Sequence, residues 1–422
     1  MLQALRVRDF RLLWTARSIA ALGTGLLDVA IPAHVYAVTG SVLATGLTLA
    51  FRHLPALLLG PFAGVIADRW DRPRIMITTD LMHAMAISAA LLARTPETIW
   101  LIYAASLGQG TAAAIFRPAA QAHTPAVVGV GPLLSAANAL SAFTTGVVGL
   151  SAPPIGGLLF ATSGINVVIG AAIAASLLSA TAVARTTTRS RAHDPAQKVL
   201  ADLVQGLRHL RQAAATRALL ATNSVYLLAN AALTALLMPF GVTHLGGSVQ
   251  VGYLLSALGL GFLLGAPISR RLVDRFSART IISLSQALVA GAFFLMFNAS
   301  SLPVALTAAV FLGVPGVTVL VAIHTWLQRA TPKELLGRVS AAFVTVEAAA
   351  SMVGAFAGPA MSELISLPLA LNAACAFTLL SALLTLCLMP RGSQILQGTE
   401  GRRSPELGGD GGPALTDSAQ SE

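Results

Sequence analysis

Gly64-Val-Ile-Ala-Asp68-Arg69-Trp-Asp71-Arg72-Pro-Arg74 is a dense run of charge set between two long apolar stretches, 42–67 and 75–94. The core of this run has a second copy, Asp274-Arg275, between the apolar stretches 249–269 and 280–298, and 206 residues separate Asp68 from Asp274. Thr124-Pro125 and Thr331-Pro332 form another pair, 207 residues apart, each expected just after the fourth apolar stretch of its half. Two anchors in corresponding loops with nearly one offset predict a duplicated unit.

Composition says what surrounds that unit. Of 422 residues, 55% are apolar or aromatic and 10% are charged, against roughly 25% charged in soluble proteins; the mean hydropathy is +0.75. A water-soluble enzyme and a disordered chain are both excluded, and lipid is the expected solvent. At about 20 apolar residues per crossing, the first half divides into spans at 10–38, 42–67, 75–94, 98–118, 134–161 and 164–184. The second half gives 217–243, 249–269, 280–298, 302–328, 338–361 and 367–389. Lipid offers no partner to backbone polar groups and no ten-residue alternating strand pattern occurs, so the spans are predicted to be helices. The expected fold class is an all-α membrane protein of twelve transmembrane helices in two pseudo-symmetric six-helix bundles. Its expected parts are bundles at 1–184 and 217–390, a cytoplasmic linker at 185–216 and a disordered cytoplasmic tail at 391–422, rich in Gly and Ser.

The formal net charge is +10, from 27 Lys and Arg against 17 Asp and Glu. These cations fall in short clusters between apolar runs, which reads as topology and not as a nucleic-acid surface. Arg69, Arg72, Arg74, Arg270, Arg271, Arg275, Arg279 and Lys333 lie on one side with the N-terminus and linker, while the opposite loops hold Arg94. The positive-inside rule then places both termini in the cytoplasm of a multi-pass protein of the cell inner (plasma) membrane. Arg6, Arg8 and Arg11 precede a first run without a cleavage site, so that run is read as a retained helix. Cys375 and Cys387 share one apolar segment and predict neither a disulfide framework nor a metal site.

The charged run matches the pattern G-x-x-x-D-R-x-x-R-[RK] at Gly64, Asp68, Arg69 and Arg72, with Pro73 as a departure. Further stretches join it: Asp9-Phe10-Arg11-Leu-Leu-Trp14, Leu54-Pro55, Gly60-Pro61, Phe116-Arg117-Pro118-Ala119 and Thr331-Pro332-Lys-Glu334-Leu-Leu-Gly337-Arg338-Val339. On these, over about residues 5–390, the chain resembles the major facilitator superfamily, in particular its branch of macrolide-efflux proteins and enterobactin exporters. The resemblance implies a secondary transporter built from parallel repeats. It implies that the first, fourth, seventh and tenth helices line a central cavity, and that the second and eleventh meet between the halves. Asp68 would then latch the start of the eleventh helix near Gly337 and Arg338, where a helix N-terminus favours an anion; the alternative is that the motif only fixes topology. Two departures weaken the case for proton antiport. Ser106 stands where the superfamily has an arginine, and the antiporter signature G-P-x-x-G-G appears as Ala152-Pro153-Pro154-Ile155-Gly156-Gly157.

An ionisable group inside lipid costs on the order of 3 kcal/mol and by default faces a partner or a cavity. Asp28, Arg52 and Glu347 stand out as proton-coupling candidates. Asp28 and Arg52 each lie about ten residues from the outer ends of antiparallel neighbours, roughly 15 Å deep, so they can meet; Glu347 is a second candidate partner if the eleventh helix adjoins the second. Making and breaking such a pair would swing a carboxylate's proton affinity. The alternative is a permanent pair that fixes helix register. Gln109, Asn138, His324 and Trp326 are further candidates for the cavity wall, with interhelical hydrogen bonding or packing as their plainer roles.

No G-x-x-x-x-G-K-[ST] loop occurs, so the energy is expected from an ion gradient; no H-E-x-x-H or G-x-S-x-G pattern points to an enzyme. The leading expectation is proton-coupled efflux of lipophilic small molecules. Uptake of a small metabolite and a non-transporting receptor or assembly protein are the alternatives. The partners expected are substrate, protons and the bilayer, with no nucleic acid, no cofactor and a monomeric chain.

Overall fold

The computed structural model describes residues 2–129, 131–190, 199–212, 214–331 and 335–390, with backbone alone at 2, 61, 63–69, 199–203, 209, 336 and 337. Among the described residues every regular element is helical. The first six-helix bundle comprises α1 (Arg8–Thr39), α2 (Val42–Arg69), α3 (Arg72–Ser88), α4 (Trp100–Val128), α5 (Pro132–Ser163) and α6 (Ile165–Ala184). After α7 (Val199–Gln212) comes the second: α8 (Ala214–His244), α9 (Ser248–Arg275), α10 (Ala278–Phe297), α11 (Leu302–Ala330), α12 (Leu336–Leu364) and α13 (Leu367–Leu388). Twelve of these helices are long and apolar enough to cross a membrane.

The spans exist because lipid-phase helices satisfy their own backbone, and local chemistry sets their ends. Gly40, at φ 65°, closes α1 in the left-handed conformation and returns its N–H to the Tyr36 carbonyl, the turn that glycine permits at no steric cost. Ser277 caps α10 by accepting from the Thr280 N–H, and Ser366 caps α13 through the Leu369 N–H. Two helices run well past the ends that hydropathy gives them. α4 runs on to Val128 through Pro118 and Pro125, and α9 runs to Arg275. A proline forfeits one helical hydrogen bond, but neighbouring helices re-satisfy the freed group within a membrane bundle. Thr124 therefore lies inside a helix and not after it, and donates back to the Ala120 carbonyl.

The halves meet along two antiparallel seams, α2 against α12 and α5 against α9. At the end bearing the Gly40 turn they are sealed: Glu363 accepts from the Ser41 hydroxyl and, at 2.9 Å, from the Leu43 N–H. Gly46 faces Pro359 so closely that an added Cβ would sit 2.2 Å from its Cγ. Farther along the α2–α12 seam, a Cβ added at Gly60 would lie 4.0 Å from Thr345 Oγ1.

The stretch read as a linker is partly structured. α7 docks on the start of α12, where Gly206 leaves room for the Arg338 carbonyl and Arg338 donates to Gln205 at 2.6 Å. The Asp9-to-Trp14 motif also has visible work. Asp9 Oδ2 accepts from the backbone and hydroxyls of Thr187 and Thr188 at 2.6 to 3.0 Å, and Trp14 donates to Thr144 at 2.9 Å. Together they tie α1 to α5 and to the chain leaving α6.

Candidate functional site

Helix packing sets the position of Arg52. α4 approaches α2 so closely at Gly110 that a Cβ there would lie 2.2 Å from the Arg52 carbonyl oxygen, which fixes the Arg52 backbone between α4 and α1. Its guanidinium donates to Asp28 on α1, forming an ion pair. The two side chains are 32% and 38% exposed, so the pair is neither sealed in the core nor closed off from a cavity. It borders a cavity of about 80 Å³ whose wall also includes Thr45, Gln109, Thr234 and Val251, residues of both bundles.

A second cavity, of about 230 Å³, is lined wholly by the second bundle. Its wall is mostly leucine, phenylalanine and valine, with Asn223, Asn230, His324 and Glu347 as polar points. Asn223 donates to Glu347 Oε1 at 2.9 Å, and the His324 ring stands edge-on to Phe343. Both cavities are bounded by Thr234, Leu237 and Leu255, so they adjoin.

Glu347 does not meet Arg52. Gly46 packs on Ala355 and Pro359, and Gly60 on Thr345. That register sets Glu347 opposite about residue 58 of α2, some six residues from Arg52, or ~9 Å along the axis. The helices adjoin, but the carboxylate turns to α8.

The other candidates divide. Gln109 reaches from the smaller cavity to His83 at 3.4 Å, and His83 bonds Ser176 at 2.8 Å. Trp326 is buried in the second bundle's core, and Asn138 is exposed on α5, bordering neither cavity. Arg72 donates to the Ala122 carbonyl at 3.1 Å. The side chains of Gly64, Asp68 and Arg69 lie outside the described residues, as does the side-chain position at Gly337, so the latch has no geometry to report. The repeat's other aspartate, Asp274, pairs with Arg329 at 3.0 Å inside its own half.

The sequence reading did not single out the intramembrane charges Asp80, which accepts from Ser179 at 2.6 Å, Arg17 and Arg117, nor the histidines His53 and His83. Arg117 lies within electrostatic reach of both Arg52 and Asp28. The repeat offset would have found the arginines. Moved by 206 or 207 residues, Arg17, Asp28, Arg52 and Arg117 land on Asn223, Thr234, Leu258 and His324, and all four of these line the larger cavity.

The arrangement is one of two duplicated bundles, a cavity region at their junction, and charge at membrane depth. Known proteins agree. The family model described as transmembrane secretion effector (MFS_3) matches residues 1–400, and the chain belongs to that family of the major facilitator superfamily. The enterobactin exporter EntS of Escherichia coli O1:K1 / APEC is 27% identical over 352 residues, covering 82% of this chain and 83% of that one. EntS of E. coli strain UTI89 / UPEC is similar to the same extent. Among solved structures, the nucleoside transporter NupG superposes with a TM-score of 0.75 at 10% identity, over 91% of this chain and all of that one. A bacterial homologue of the human lysosomal transporter Spinster, inward-facing and unoccupied, gives 0.71 at 15% identity, over 94% and 98%. The protein is a multi-pass membrane transporter of this superfamily.

Proposed function

We propose that the chain exports lipophilic small molecules by alternating access, driven by protons. The observation that carries this reading is the Asp28–Arg52 pair on the wall of a cavity bounded by both bundles. Rocking of one bundle against the other changes that wall, so it can part the pair and let Asp28 take up a proton. Glu347, on the wall of the adjoining cavity with one hydrogen bond from Asn223, is the second carrier. Export is favoured by the similarity to enterobactin exporters, and the apolar wall of the larger cavity suits lipophilic cargo. The clustering of Lys and Arg in one set of loops supports a cytoplasmic side for both termini, the linker 185–216 and the tail 391–422. With that orientation the seal at Ser41 and Glu363 closes the outer face. Asp68, with Arg69, Arg72 and Arg338 nearby in the motif and on α12, would latch the inner face in the opposite state.

The test is accumulation of a macrolide, a catecholate and a neutral aromatic dye in cells with and without the protein, each with and without a protonophore. At least one compound should accumulate less when the protein is present, and the protonophore should erase the difference. Asp28→Asn and Glu347→Gln should each reduce it. Proton-driven efflux that survives the double substitution removes these carriers from the account, and an unchanged panel removes export.

A further inference from the structure

We infer that Ser106 and Gln109 on α4 form a hydrogen-bonding subsite on the wall of the smaller cavity, with His83 holding Gln109 in aim, so that the cargo carries a neutral hydroxyl head on an apolar body. The inference rests on the transport reading above and names its substrate class.

Of the polar side chains on that wall, all but two are committed. Asp28 and Arg52 pair with each other. The hydroxyls of Thr45, Thr48 and Thr234 donate to the carbonyls of Ser41, Thr45 and Asn230. Ser106 and Gln109 remain, three residues apart and so on one face of α4. They are 6% and 8% exposed. Among the described residues the Ser106 hydroxyl has no hydrogen-bond partner, and the Gln109 amide has one, through its nitrogen. Buried polar groups are costly to leave unmatched, so this stretch of wall is built to receive a partner.

Packing and hydrogen bonding decide which atom Gln109 offers. α4 is clamped on either side of it: a Cβ at Gly108 would lie 2.4 Å from that of Ala86 on α3, and one at Gly110 would lie 2.2 Å from the Arg52 carbonyl oxygen on α2. Ser176 donates to the Ala172 carbonyl at 3.0 Å, so its oxygen accepts from His83 Nδ1–H at 2.8 Å. The Nε2 lone pair of His83 then accepts from the Gln109 amide N–H at 3.4 Å. Gln109 Oε1 is left as an acceptor for the cavity, with the Ser106 hydroxyl one turn away as a donor. A carboxylate only accepts and would oppose Oε1; an ammonium only donates and would leave the Ser106 hydrogen unmatched. A hydroxyl does both. The smaller cavity, of about 80 Å³, admits a head of that size, and the adjoining apolar cavity takes the body.

Three probes share a naphthalene body: 2-naphthalenemethanol donates and accepts, 2-acetonaphthone only accepts, and 2-ethylnaphthalene does neither. Binding to the purified full chain in nanodiscs is read by naphthalene fluorescence, and comparing affinity ratios between variants cancels partition into lipid. Wild-type protein should favour the alcohol over the hydrocarbon. Ser106→Ala and Gln109→Leu should each lower that ratio about fivefold, the scale of one net hydrogen bond. Ser106→Ala deletes a single oxygen and keeps the test decisive if Gln109→Leu does not fold. His83→Phe frees the amide to turn its N–H groups to the cavity, so the alcohol-to-ketone ratio should fall. His83→Gln, whose oxygen can accept in place of Nε2, should keep it; a loosened wall alone would weaken both probes without reordering them. A wild type without preference, or an alcohol-to-hydrocarbon ratio that either α4 substitution leaves unmoved, overturns the subsite. An alcohol-to-ketone ratio unmoved by His83→Phe overturns the role of His83. Tighter binding of 2-naphthoate or 2-naphthylmethylammonium than of the alcohol overturns the hydroxyl assignment. Because binding is measured without flux, a preference set by Ser106 and Gln109 with no transport of any probe would fail the transport reading and spare the subsite. Transport of the alcohol and the hydrocarbon, indifferent to both residues, would do the reverse.

Discussion

At four repeat-related positions the first bundle carries Arg17, Asp28, Arg52 and Arg117, and the second carries Asn223, Thr234, Leu258 and His324. The helices that hold them pack alike, α1 with α5 and α6, α8 with α12 and α13. Duplication has kept the scaffold and divided the chemistry at these four positions, leaving charged side chains in the first bundle and polar or apolar ones in the second. A single symmetric cavity would ask one set of side chains to do both.

The sharpest way to break that comparison is to write the second bundle's residues into the first. Arg52→Leu copies Leu258 and strands Asp28, and transport should fall at least tenfold. Stability should drop by about 1–3 kcal/mol, below the figure for a fully buried pair because these side chains are about a third exposed. Asp28→Thr with Arg52→Leu removes both charges and should recover most of that stability while transport stays low. Thermal unfolding and vesicle flux measure the two effects, and a double variant no more stable than the single would mean the pair is not the relevant unit.

Gly46→Leu addresses the seam between the halves. Its side chain would drive into Pro359, and overpacking of this kind costs about 1–3 kcal/mol, enough to shift a closed-to-open ratio five- to 150-fold. Spin labels across the Gly40 end should report longer distances, and an unchanged distribution would place the seal elsewhere. Within the second bundle, Asn223→Ala withdraws the donor to Glu347 and should lower stability by about 0.6 kcal/mol, the usual scale for a hydrogen bond between membrane helices. The smallest change is expected at Asp274→Asn. Its pair with Arg329 is mostly exposed, and loss of such a pair costs roughly 0.5 kcal/mol or less. An effect larger than that of Asn223→Ala would give the Asp274–Arg329 pair a role beyond that of an exposed ion pair.

The fold was legible because lipid imposes a length on every crossing, and twelve apolar runs meet it. The 206-residue offset revealed the duplication before any packing was known. Less of the site could be read. Asp28 and Arg52 stood out as lone charges in apolar runs at matching depth, but Glu347 faces α8 because register and rotation on α12 depend on close contacts such as Gly46 with Pro359. Arg117 was hidden by Pro118, which looked like the end of a span and is the middle of α4. Arg17 lies inside the first apolar run, six residues past Arg11, and only its equivalence with Asn223 sets it apart.

α7 has a practical consequence. It is fastened to the first turn of α12 by Gly206 and by the Gln205–Arg338 contact, so α7 travels with the second bundle. A fluorophore at the exposed Val204 would therefore act as a pointer fixed to one half, and its distance to a mark on α3 would trace the swing of the whole molecule through a transport cycle.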